Sequence, residues 1–173
     1  VDLNASQVTK YMGEVYDNDI WDYVTKEIVL DRYTQLGVEA KLSSDGEWSA
    51  LYYNWLTAEQ YAECGTDEAV VNYLLENSYA NLPDEVKGWP LYIVEEVSPA
   101  TTMHFVGFVV DKAGKYGKIA HLELTTQELK KADLVWVEQP LTNLQEGALK
   151  NSKTLQFTPA FEDGKEAASY KYV

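Results

Sequence analysis

Residues Val97 to Gly114, reading VSPATTMHFVGFVVDKAG, constrain the fold more than any other stretch of the chain. Pro99 and the Thr101–Thr102 pair open a strand, and Asp111 with Gly114 close it in turn chemistry. Strand side chains alternate. Met103, Phe105, Gly107 and Val109 therefore share one face, and His104, Val106, Phe108 and Val110 share the other. A sandwich strand with one wet face alternates apolar with polar residues. This one is apolar on both faces, so it must be central in its sheet and covered on its outer side as well.

Trp48 to Leu56 has the same double-faced character and is the predicted neighbour. The cover follows it in the chain. Thr57-Ala-Glu-Gln60 fits a capping box that starts a short helix, and Gly65 ends it. Thr66 caps a second helix with Asp67 and Glu68 in its first turn. Val70, Tyr73, Leu74 and Asn77 then fall on one helical stripe, which must be laid on something. The two helices of 57–77 are expected to cover the sheet face holding Leu51, Tyr53, Val106 and Phe108.

The remaining strands are read from alternation and turn residues. Trp21 to Leu30 is rich in β-formers. Val38, Ala40 and Leu42 alternate with Glu39 and Lys41, before a turn at Ser44-Asp45-Gly46. Leu82-Pro83-Asp84 and Gly88-Trp89-Pro90 bracket a loop, and strands are predicted over Leu91–Val97 and Tyr116–Thr125. Thr125 to Glu128 reads as a second capping box, and residues 128–132 as a linker. Residues 1–20 read as an N-terminal extension. In it, Val8, Tyr11, Met12, Val15 and Tyr16 follow helical spacing, and Asp17-Asn18-Asp19 makes a turn.

Composition limits the function. The 173 residues are 46% hydrophobic, enough for a substantial core. A net charge of −14 lacks the basic footprint of nucleic-acid binding and disfavours anionic membrane surfaces. Cys64 is the one cysteine, so no intramolecular disulfide forms. It reads as a small buried apolar residue. No apolar run reaches the length of a membrane span, and the absence of an initiator Met fits a mature chain whose export signal is gone.

No Gly-rich phosphate loop or nucleophile elbow is present. His104 reads as a structural strand residue, and His121 as pointing to solvent. Glu95 and Glu96 face opposite ways on a strand and cannot act as a paired acid and base. The expectation is a non-enzyme without cofactor or metal. Trp89, Tyr92, Tyr79 and Tyr116 lie in or near loops and strand ends, where flat aromatic faces can stack on sugar rings. They are the candidate ligand-binding residues. The competing reading has Trp89 plugging the end of the sandwich.

After the linker the chain echoes itself. Asp133 to Glu138 resembles Asp22 to Glu27, and Leu155 to Tyr172 resembles Gly37 to Asn54. An offset of 118 residues relates both Asp163 to Asp45 and Tyr170 to Tyr52. Residues 133–173 are therefore read as a partial second module. Its open edges would require further strands or pairing with another element, including self-association with another chain.

The run Val97 to Lys115, with its Pro99, Thr101, alternating core residues and Asp111-to-Gly114 turn, resembles the strand E to strand F signature of fibronectin type III-like domains. Leu122 to Thr126 and the helical insert Leu56 to Ala69 look like those of such domains in Bacteroidetes cell-surface lipoproteins. The likeness covers about residues 22–126 and partly 133–173. It implies an immunoglobulin/fibronectin III-like antiparallel β-sandwich over 21–127, with a two-helix insertion after strand C. It also implies a lipid anchor upstream of Val1, a cell-envelope location, and surface proteins or polysaccharide as partners. The implied function is a non-catalytic spacer or interaction module of a multi-domain lipoprotein; the alternative is a carbohydrate-binding module using the loop aromatics. Met103 departs from the family pattern, which places there a Tyr whose hydroxyl ties down the corner.

Overall fold

The computed structural model describes residues 1–43 and 46–129, and the backbone of two short strands at 145–146 and 153–154. The chain divides into two compact units, Val1–Leu129 and Lys130–Val173. The expected turn residues Ser44 and Asp45, the linker from residue 130 and most of the echo lie outside the described residues. In the second unit, β9 (Gln145–Glu146) pairs antiparallel with β10 (Lys153–Thr154).

The first unit holds strands β1 (Leu3–Gln7), β2 (Lys10–Asp17), β3 (Asp22–Val29), β4 (Gln35–Leu42) and β5 (Trp48–Thr57). Helices α1 (Ala58–Cys64) and α2 (Asp67–Asn77) follow, then β6 (Leu91–Glu96), β7 (Thr102–Asp111) and β8 (Ala120–Thr125). Two antiparallel three-stranded sheets, in order β1-β4-β6 and β5-β7-β8, bury a common core. From the first sheet come Leu3, Leu36, Val38, Ala40 and Ile93. From the second come Leu51, Trp55, Met103, Phe105, Val109 and Leu124. This is a β-sandwich built by inward-facing residues of both sheets.

β7 is the central strand of its sheet, and every residue from Met103 to Val109 is buried. On the inner face, Gly107 makes room for the opposite sheet: an added Cβ would lie 3.0 Å from a Leu3 methyl and 3.1 Å from the Tyr52 carbonyl. On the outer face, Val106 and Phe108 join Leu56 and the α2 residues Val70, Val71 and Leu74 in a second buried cluster. The helices do cover the double-faced strands.

The capping chemistry is also as read. Thr57 Oγ1 accepts from the Gln60 N–H and Gln60 Oε1 from the Thr57 N–H, and Gly65 ends α1 in the left-handed conformation at φ 65°. Thr66 caps α2 by accepting from the Ala69 N–H. Cys64 is half-buried against the helix-side cluster.

Four expectations are corrected. Leu51 and Tyr53 do not face the helices. They lie opposite Val109 and Gly107 in the ladder and point into the sandwich, while Tyr52 and Leu56 take the helix side. Thr125–Glu128 forms no helical turn. Instead the buried Thr126 hydroxyl donates to the Ser98 carbonyl at 2.8 Å and accepts from the Thr101 N–H at 3.0 Å. These bonds tie the β6–β7 connection to the end of β8. The first residues are no extension, because β1 pairs along β4 and contributes Leu3 to the core. Residues 8–16 are not helical, because Lys10–Asp17 pairs in full register with Asp22–Val29 as a β-hairpin.

Because Phe108 is fully enclosed between sheet and helices, Phe108→Ala is expected to lower unfolding stability by about 3–5 kcal/mol. Urea denaturation measures it; a loss below about 1 kcal/mol would mean that α2 does not seal this face.

Candidate functional site

The four candidate aromatics do not meet. Trp89 packs on the sandwich core, edge to face with Trp48 at 5.9 Å. It occupies the plugging position that competed with ligand binding. Tyr92 precedes the inward-facing Ile93 and so points out of the first sheet, where it stacks on Tyr11 at 4.7 Å. Tyr116 leans on Phe108, on the helix side of the second sheet, at 5.7 Å. It also lines a shallow cleft of about 180 Å³ with Val1, Asp2, Asp111, Lys115 and Gly117. Tyr79, just past α2, is 92% exposed. Tyr92 and Tyr116 thus sit on the outer faces of different sheets, and one flat ligand cannot touch all four rings.

A different cluster does converge, at the seam between α1 and the second sheet. His104 on β7 and His121 on β8 meet with Nδ1 of the first 2.9 Å from Nε2 of the second. Their ring centroids are 5.2 Å apart and the planes differ by 12°, so the imidazoles lie side by side, joined at their edges. Tyr61 of α1 lies over both, 4.3 Å from His104 and 4.4 Å from His121. Its hydroxyl is 3.4 Å from His121 Nδ1. Glu123 Oε2 is 4.0 Å from His104 Nε2. His104 is buried, as a structural strand residue should be; His121 is exposed, as read, with its Nε2 against His104 and its Nδ1 near the Tyr61 hydroxyl. The capping box that starts α1 places Tyr61 four residues on from Thr57, over this part of the sheet. Among the described residues no group of three or more His, Cys, Asp or Glu is placed to hold a metal ion.

Joined ring nitrogens can share one proton, since one must accept while the other donates. A second proton would set two N–H groups and two charges head to head. Burial, with the charge of His104, pushes the His121 imidazole below its usual 6.5, while Glu123 and Asp67 pull the other way. The folded chain therefore takes up this proton less readily than the unfolded one. The His121 contribution is complete above about 6.5 and is lost as pH falls from there through the lowered value.

The β2–β3 hairpin, whose first strand was expected to be a helix and whose second was expected as a strand over Trp21–Leu30, carries the other distinctive surface. Of the twelve exposed large hydrophobic residues in the described chain, Met12, Val15, Tyr16, Ile20, Trp21, Tyr23 and Val29 lie on it. Its base is fixed. Val8 N–H donates to the Gly37 carbonyl, Leu30 N–H to the Thr9 carbonyl, and Tyr11 stacks on Tyr92. Beyond that base β2 and β3 form a two-stranded sheet of their own. The Asp17-Asn18-Asp19 turn and the β-formers of Trp21–Leu30 signalled part of it in the sequence, and that turn is the tip: Asp17 Oδ1 accepts from the Asp19 N–H.

Comparison with protein-family models, with curated proteins and with solved structures returned no match.

Thermal unfolding of the native chain is expected to be insensitive to pH from about pH 8 down to about pH 7, with a midpoint that drops by pH 5. His121→Gln should shrink that acid-side drop. An equal drop in both chains would remove the histidine pair from the account.

Proposed function

We propose that this chain is a non-catalytic spacer or interaction module, built on a fibronectin III-like sandwich, of a multi-domain cell-envelope lipoprotein. The order of the strands supports the sandwich part of the reading. In an immunoglobulin-like sandwich strands A, B and E share one sheet and C, F and G the other. Taking β1, β4, β5, β6, β7 and β8 as A, B, C, E, F and G reproduces both sheets in order. The two helices then follow strand C, and the β2–β3 hairpin is an excursion between A and B.

An interaction role draws support from the hairpin, whose apolar residues stay exposed although the neighbouring sandwich buries its own on both sides of β7. Sugar stacking by Trp89, Tyr92, Tyr79 and Tyr116 draws none from their placement, because the rings point to different sides. Two shallow clefts among the described residues, of about 180 and 170 Å³, are smaller than ordinary small-molecule sites.

The envelope assignment is tested by expressing the full-length gene in its own host with labelled palmitate and fractionating the membranes. Labelled protein in the envelope is expected. Unlabelled protein confined to the cytosol would overturn it. Turnover by the purified chain on a panel of hydrolase substrates would overturn the non-catalytic reading.

A further inference from the structure

We infer that the β2–β3 hairpin is a docking arm whose tip enters an apolar cleft, rimmed by lysine and arginine, on a partner protein. The inference rests on the interaction-module reading and names its surface and its partner's chemistry.

Alternation sorts the hairpin into two faces. Tyr11 with Ile28, Gly13 with Lys26 and Val15 with Val24 make one; Tyr11 anchors it to Tyr92 at the base. Lys10 with Val29, Met12 with Glu27, Glu14 with Thr25 and Tyr16 with Tyr23 make the other. That second face carries Met12, Tyr16, Tyr23 and Val29, all exposed, with the two tyrosines edge to face at 5.3 Å. It runs into the tip, where Ile20 is 60% and Trp21 82% exposed.

Trp21 has φ 57°, a left-handed conformation that glycine or asparagine adopts at lower cost. A bulky aromatic thus stands at the turn position least suited to it, and no fold contact compensates, because its side chain is in solvent. Large exposed aromatics of this kind are the residues that carry binding energy in protein interfaces.

Charge selects the occupant. Residues 10–29 hold five acids and two lysines. Both lysines are engaged within the hairpin, Lys10 with Glu27 at 2.8 Å and Lys26 with Asp17 at 3.2 Å. Glu14, Asp19 and Asp22 flank the apolar tip and form no ion pair among the described residues. An acidic rim around an aromatic centre complements a basic rim around an apolar cleft. The same charge opposes anionic lipid, and a second copy would set −14 against −14. The arm is also pre-formed. A two-stranded ribbon is marginal alone, but this one is held at its base by the Val8 and Leu30 backbone bonds and the Tyr11–Tyr92 stack, so little ordering remains for binding.

The test is a random-peptide display library selected on the full 173-residue chain, with counter-selection on the Ile20→Ser/Trp21→Ala double variant. Both changes are at exposed positions, and an unchanged thermal transition verifies the fold of the variant. Enriched peptides should combine aromatic or aliphatic residues with Lys and Arg. They should bind the variant about tenfold or more weakly and bind the native chain less tightly as salt rises. Peptides that bind both chains equally would overturn the arm and leave an interaction module acting through another surface. Acidic or salt-insensitive peptides would overturn the basic-rimmed cleft. No peptide on either chain would overturn the arm and leave the spacer.

Discussion

β7 is buried on both faces, and the rest of the fold answers to that. An unpaired, two-faced apolar strand cannot sit at an edge or against water, so it is flanked by β5 and β8 in its own sheet. Its inner face, with Gly107 at the closest approach, draws the β1-β4-β6 sheet to it. Its outer face draws α1 and α2. The helices are not an independent domain: Val70, Val71 and Leu74 have their apolar partners in Leu56, Val106 and Phe108. Remove either layer and about half of the strand's apolar surface is returned to water, at roughly 25 cal/mol per Å².

The seam between helix and sheet is where polar chemistry enters that core. His104 occupies an outer-face position of β7 otherwise given to Val106 and Phe108, and it is accommodated because His121 satisfies one ring nitrogen and Tyr61 covers the ring face. A buried imidazole with a partner is stable; two protonated imidazoles in contact are not. The contact joins β7 to β8, and Tyr61 of α1 lies over both rings.

Much of the sandwich was legible locally. Capping residues marked both helices because Thr57, Gln60, Gly65 and Thr66 act on their own neighbouring backbone groups. The double-faced character of β5 and β7 was readable from alternation, and so was their adjacency. The hairpin was not. Val8, Tyr11, Met12, Val15 and Tyr16 fit helical spacing, and local propensity alone did not choose between a helix and a strand, whose partner begins at Asp22. The His104–His121 contact was hidden for the same reason: seventeen residues separate the two, and only the β7–β8 ladder brings them together. The four loop aromatics were visible as exposed or loop-borne rings, but not which side of which sheet each would take.

The amino-acid sequence by itself determined where strands and helices begin and end over most of residues 21–125, and that one strand must be enclosed on both sides. Those properties follow from periodicity and capping, which are set by neighbours along the chain. The tertiary structure alone decided that Leu51 and Tyr53 face the core while Tyr52 and Leu56 meet the helices, that β1 closes a sheet, and that two histidine ring nitrogens meet at 2.9 Å. A strand apolar on both faces carries no internal signal of which face turns inward. Pairing register sets it, through contacts between segments far apart in the chain.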